Sequence, residues 1–162
     1  MEDDLLRVVK DVSGTLSSRG LTLAVAESCT GGLTCSALTS LPGASRFFHA
    51  GVVAYSPEAK ERLLGISRKA LEEFGTVSSE TALAMARGVR KMSGADVALS
   101  ITGVAGPDTV DDKPAGLVYI AAEKEGSAET LVLHLQGGRE EVRRLACLEA
   151  LNFLSSMLIK WT

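Results

Sequence analysis

Two short apolar runs constrain the fold of this chain more than any other feature. Leu21–Ala26 (LTLAVA) and Ala95–Thr102 (ADVALSIT) are each about a strand long and nearly continuous in hydrophobic residues. A strand of that kind has to be covered on both faces. Each run leads into a glycine-bearing turn, SCTGG (Ser28–Gly32) and GVAGP (Gly103–Pro107). The segments around them carry a helical period. Asp4–Arg19 is apolar at Leu5, Val8, Val9, Val12 and Leu16, with Gly20 to close it. Gly31–Ser40 is a second helix, stopped by Pro42-Gly43. Ser56 as N-cap and Pro57 at N1 start a third that ends at Gly65. Arg68–Phe74, Ser79–Met92 and Arg139–Ile159 complete the helices, and Phe47–Tyr55, Gly116–Ala122 and Glu129–Gln136 the strands.

The last two strands meet through Lys124-Glu125-Gly126, too close for a crossover helix, so that pair is antiparallel. The expectation is an α/β fold: a single three-layer α/β/α domain over residues 1–162, with a mixed, mostly parallel sheet of about five strands. Ligands of such sheets bind beyond the carboxyl ends of the parallel strands. With the two apolar strands parallel, the two glycine turns share one crevice.

Composition narrows the partners. The 162 residues carry a formal charge of −3, and Arg and Lys are scattered along the chain. That argues against nucleic acid, whose backbone calls for a clustered basic surface. No apolar run can span a bilayer, and the start, MEDDLLRVVK, is acidic and amphipathic rather than a leader. Cys29, Cys35 and Cys147 form neither CxxC spacing nor a dense, even set. A reduced, cytoplasmic protein without a membrane partner is expected.

The chemistry is narrowed by what is missing. The only histidines, His49 and His134, lack partners at i+3 or i+4, and no HExxH or Cys/His quartet exists, so no metal site is expected. GxxxxGK[ST] and GxGxxG are both absent, and no cofactor is expected. What remains is nucleophilic catalysis without histidine. Ser28 follows a buried strand, and Gly31-Gly32 would present backbone N–H groups to an anion at the next helix. AYSPEAK supplies the partners: Tyr55 at a strand end, and Lys60 in a first helical turn, where the macrodipole disfavours a cation. A lysine held neutral can take a serine proton, with a tyrosine hydroxyl as relay. The residues alone leave other readings open. Ser28 and Thr30 would also serve as N-caps, Lys60 as a surface charge, Tyr55 as a core ring, and Cys29 as the nucleophile.

Six segments resemble, in order, the CinA C-terminal domain family: ESCTGG (Glu27–Gly32), LPGASRFFHAGVVAYSPEAKERLLGI (Leu41–Ile66), FGTVSSETALAMARGVR (Phe74–Arg90), ADVALSITGVAGPD (Ala95–Asp108), KPAGLVYIA (Lys113–Ala121) and GREEVRRLACLEAL (Gly138–Leu151). The resemblance runs from about Leu5 to Leu154. It implies a metal-independent hydrolase that converts nicotinamide mononucleotide and water to nicotinic acid mononucleotide and ammonia. In this chain it implies Ser28 as nucleophile and Tyr55 and Lys60 as proton-transfer residues. It further implies a substrate pocket drawn from Glu27, Thr30, Gly31 and Gly32 of the first turn and Thr102, Gly103 and Gly106 of the second. Arg139 would bind the substrate phosphate. The partner implied is a small-molecule nucleotide, and a homo-oligomer is expected, with the last helix around Trp161 as its interface. Many members carry a larger N-terminal domain; this chain reads as the stand-alone form. It departs from the family in Gly138, where Asp is common before the arginine, in DTVDD, where glycine is commoner, and in Ala115 for Val.

Overall fold

The computed structural model of the protein describes residues 2–162. Its elements run α1 (Glu2–Arg19), β1 (Leu23–Glu27), α2 (Leu33–Thr39), β2 (Phe48–Val53), α3 (Pro57–Leu64), α4 (Arg68–Phe74), α5 (Ser79–Ser93), β3 (Val97–Gly103), β4 (Leu117–Lys124), β5 (Ser127–His134) and α6 (Arg139–Lys160). The two apolar runs become neighbouring strands of one sheet ordered β2-β1-β3-β4-β5. β1 is parallel to both β2 and β3, while β4 and β5 follow in antiparallel order. The mixed sheet expected from the sequence is therefore the one observed.

The faces of the sheet differ in a way that sorts the helices. Leu23, Val25, Leu99 and Ile101 point into a core shared with Val8, Val12 and Leu16 of α1 and Leu151 and Leu154 of α6. Ala24, Ala26, Ala98 and Ala121 point the other way, against Met85, Ala86 and Val89 of α5 and Leu64 of α3. Each fully buried aliphatic side chain of these cores contributes about 1.5–3 kcal/mol. The small residues on the second face let α5 lie close. Ser100 Oγ donates to the Ala82 carbonyl at 2.5 Å. Where α5 meets the end of α3, a Cβ on Gly88 would stand 2.1 Å from the Leu64 carbonyl oxygen.

Several boundaries shift for local reasons. β1 starts at Leu23 and extends to Glu27, one residue beyond the apolar run. Helix α2 begins at Leu33 instead of Gly31, because Gly31 and Gly32 lie at φ 58° and 106°, left-handed values that glycine tolerates. β2 ends at Val53, which leaves Tyr55 in the connection to α3. The β4–β5 hairpin pairs Lys124 with Ser127, so its turn is Glu125-Gly126 alone. Ser56 does cap α3, accepting from the Ala59 N–H at 3.0 Å, with Pro57 at the first position. Trp161 stands at the C-cap position of α6. It is half-buried against the α6-side core, and its indole N–H donates to Ser127 Oγ at 3.1 Å. No helix among the described residues is long and apolar enough to cross a membrane.

Candidate active site

Parallel pairing brings the two glycine turns together at the carboxyl ends of β1 and β3. The Ser28 N–H continues the ladder onto the Ile101 carbonyl at 3.0 Å, and the Ala54 N–H onto that of Glu27 at 2.9 Å. Ser28, the Ala54-Tyr55 corner and the Thr102–Gly106 segment therefore stand side by side. Between them is a cavity of about 240 Å³. Seven of the eleven residues singled out in the sequence line it: Ser28, Tyr55, Lys60, Thr102, Gly103, Gly106 and Arg139. Glu27, Thr30, Gly31 and Gly32 do not.

Glu27 has another task. It is fully buried, and its Oε1 accepts from Thr30 Oγ1 at 2.6 Å and the Thr34 N–H at 3.0 Å, while Oε2 accepts from the Cys35 N–H at 2.9 Å. The carboxylate thus occupies the amino end of α2, satisfying the donors a side-chain cap would otherwise take. Gly32, at the N-cap position, offers no side chain for that purpose. The anion at this terminus is the protein's own, which corrects the expectation that the helix end would receive a ligand. Ser28 and Thr30 are not caps either: Thr30 donates to Glu27, and Ser28 turns into the cavity.

Lys60 lies at the fourth position of α3 and is 1% exposed. Its Nζ is 2.9 Å from Ser28 Oγ, 2.9 Å from the Ala54 carbonyl oxygen and 3.1 Å from that of Tyr55. Burial is the main influence on this amine and lowers it from 10.5 to about 8, against opposing attractions from Cys29 and Asp111. A neutral amine has two N–H groups and one lone pair. The two carbonyls can accept the N–H groups, leaving the lone pair for the Ser28 hydroxyl.

Tyr55 does not stand in that line. The ring is 58% exposed, and its hydroxyl accepts from Arg139 Nη2 at 3.0 Å. Lys60 meets only the backbone oxygen of this residue. Arg139 also donates from Nη1 to the Gly106 carbonyl at 2.7 Å, tying the second glycine turn to α6. Cys29 borders the cavity, but burial pushes its thiol up to about 12, so it remains protonated and a poor nucleophile.

Sequence reasoning missed three supports. Arg143 donates from Nε to the Cys29 carbonyl at 3.1 Å and from Nη2 to the Thr30 carbonyl at 3.2 Å, holding the Ser28 turn from behind. Its place four residues after Arg139, on the same helical face, was the signal that could have found it. The other two, Asp111 and Lys113, belong to the DTVDDK loop. Asp111 Oδ2 accepts from both the N–H and the hydroxyl of Thr76, each at 3.0 Å, and Lys113 Nζ donates to the Val77 carbonyl. Thr102 Oγ1 holds the Thr76 carbonyl at 2.7 Å from the other side. Thr76 and Val77 are thereby fixed as a wall of the cavity. Asp111 and Asp112 lie at φ 51° and 61°, left-handed values that favour glycine.

Among the described residues no three His, Cys, Asp or Glu side chains converge as metal ligands. His49 and His134 lie exposed on the two edge strands.

The family model of the CinA C-terminal domain matches residues 6–158. A CinA-like protein of Syntrophomonas wolfei is 48% identical over 153 residues, 94% of this chain and 36% of that protein. One from Geobacter sp. strain M21 is 47% identical over 145 residues, 89% of this chain and 35% of that protein. The chain thus spans little more than a third of the length of these curated relatives. The crystal structure of a competence damage-inducible protein A from Klebsiella pneumoniae superposes with a TM-score of 0.95 at 34% identity, covering 98% of this chain and 99% of that one.

Proposed function

The chain belongs to the CinA C-terminal domain family, and from that premise we propose that it is a metal-independent nicotinamide-nucleotide amidohydrolase, converting nicotinamide mononucleotide to nicotinic acid mononucleotide and ammonia. The observation that carries this reading is the buried amine of Lys60, lowered by burial to a pKa of about 8 and 2.9 Å from Ser28 Oγ inside a cavity. Serine-lysine pairs serve acyl transfer on unrelated folds.

In this reading Lys60 Nζ takes the Ser28 proton directly, and Oγ attacks the carboxamide carbon. The positive pyridinium ring withdraws electrons from that carbonyl. The N–H group of Cys29, which borders the cavity, is the candidate oxyanion donor; the Gly31 N–H is already committed to the Ser28 carbonyl at 3.0 Å. As the tetrahedral intermediate collapses, the Lys60 ammonium gives its proton to the departing nitrogen and ammonia leaves. Water then attacks the acyl-enzyme with Lys60 again as base, and the carboxylate product departs as Ser28 regains its proton. Tyr55 acts through Arg139, whose unused N–H groups suit a phosphate.

One observation favours a second reading. Gly138, where the family resemblance leads one to expect Asp, leaves the amino end of α6 without a side-chain cap beside Arg139. A nucleotide-binding module that no longer turns substrate over would tolerate that change. An amidase of another small amide is a further alternative that keeps the same serine. The discriminating experiment is ammonia release from nicotinamide mononucleotide, its riboside and free nicotinamide by wild type and Ser28→Ala, both verified as folded. Release from the nucleotide by wild type alone supports the deamidase. Equal release by both proteins overturns Ser28, and bound nucleotide without release favours the binding module.

A further inference from the structure

A second cavity, about 610 Å³, lies behind the Ser28 turn, between the start of α1 and the first three turns of α6. This volume is in the range of small-molecule sites. Its floor is apolar, formed by Leu5, Leu33, Cys147 and Leu148, and its rim carries Arg139, Arg143 and Arg144.

The charge on that rim is not neutralised from within. Arg139 and Arg143 spend their hydrogen bonds on neutral oxygens, the Tyr55 hydroxyl and the backbone carbonyls of Gly106, Cys29 and Thr30. Arg144 is exposed. Among the described residues none of the three forms an ion pair, although Glu2 and Glu140 border the same cavity. Three guanidinium groups within six residues of one helix repel one another. The amino end of a 22-residue helix adds to the positive potential. Apolar walls with a few convergent charged donors describe a site for a molecule with an apolar body and one anionic group.

We propose that this cavity binds a small amphipathic anion, an aromatic carboxylate or phosphate ester, as a regulatory ligand distinct from the substrate. The apolar body would rest on Leu5 and Leu148, and the anion would meet Arg144 and the unused Nη1 of Arg143. The consequence for the other cavity follows from the same two side chains. Arg143 holds the Cys29 and Thr30 carbonyls, and Arg139 lines both cavities and holds the Tyr55 hydroxyl. An anion that draws either guanidinium outward alters the Ser28 turn or the pocket wall, so the two sites are energetically coupled.

The test is binding of benzoate and phenyl phosphate to the full chain, followed by amide chemical shifts, with inorganic phosphate as the probe that lacks an apolar body. It reads no turnover, so its outcome is independent of the deamidase assignment. Saturable shifts at Leu5, Cys147 and Leu148, absent with inorganic phosphate, are expected. Arg144→Gln should weaken binding about tenfold, as the loss of a charge-assisted contact does. Leu148→Trp, which fills the cavity, should abolish it; the surface variant Arg144→Gln remains decisive if the tryptophan variant misfolds. Shifts confined to Thr76, Thr102 and Asp108, affinity unchanged in Arg144→Gln, or no saturation with either aromatic probe would overturn the proposal.

Discussion

Glu27 and Lys60 are the two charged side chains withdrawn almost wholly from solvent at this end of the sheet, and their surroundings differ in kind. Glu27 receives three donors, two of them backbone N–H groups of α2 that need an acceptor. Lys60 faces three oxygens, two carbonyls and a hydroxyl, with no carboxylate among its hydrogen-bond partners. The carboxylate is a structural anion that completes a helix end. The amine is buried without a paired counter-charge, which brings its pKa down to about 8 and makes it a usable base. Burial alone therefore does not identify a reactive group; what the group is paired with does.

Lys60→Ala should have the largest effect. Removing the base ought to lower kcat by about 10³-fold or more in protein verified as folded. Wild-type turnover in that variant would end the dyad assignment. Glu27→Gln comes next and acts on stability. An amide presents one acceptor oxygen where the carboxylate has two, and charge-assisted bonds are lost. Unfolding in urea should show a loss of about 2–3 kcal/mol, with turnover per folded molecule changed only a few-fold. A variant as stable as wild type would remove the contrast between the two residues. Tyr55→Phe is predicted to be the mildest. Because the hydroxyl meets Arg139 instead of Ser28 or Lys60, kcat should fall less than about tenfold, with the loss appearing mainly in KM. A collapse as deep as that of Lys60→Ala would restore Tyr55 as a proton relay.

The sheet and its helices were legible because each rests on a local pattern: continuous apolar runs for β1 and β3, periodicity for α1 and α6, Ser-Pro for the start of α3. The Ser28–Lys60 pairing was legible only as two candidates whose meeting depends on β1 and β2 lying side by side. Glu27 was not legible in its actual role. Its three donors come from residues three, seven and eight positions on, and they converge only because Gly31 and Gly32 turn the chain through left-handed conformations. The grip of Asp111 on Thr76 joins segments 35 residues apart, for which no sequence period exists. The partner of the Tyr55 hydroxyl was illegible for a related reason. Arg139 is 84 residues away, so proximity along the chain favoured Lys60.

The most direct measurement is the pH dependence of kcat/KM for nicotinamide mononucleotide between about pH 6 and pH 10, which reports ionisations of the free enzyme. The base acts in its neutral form, so the rate should rise with pH through a pKa near 8 and level off above it. About one molecule in ten is then competent at pH 7. The rising limb should vanish in Lys60→Ala. A rate that does not change between pH 6 and 9, or a limb near 8 that survives in Lys60→Ala, would contradict Lys60 as the base that activates Ser28.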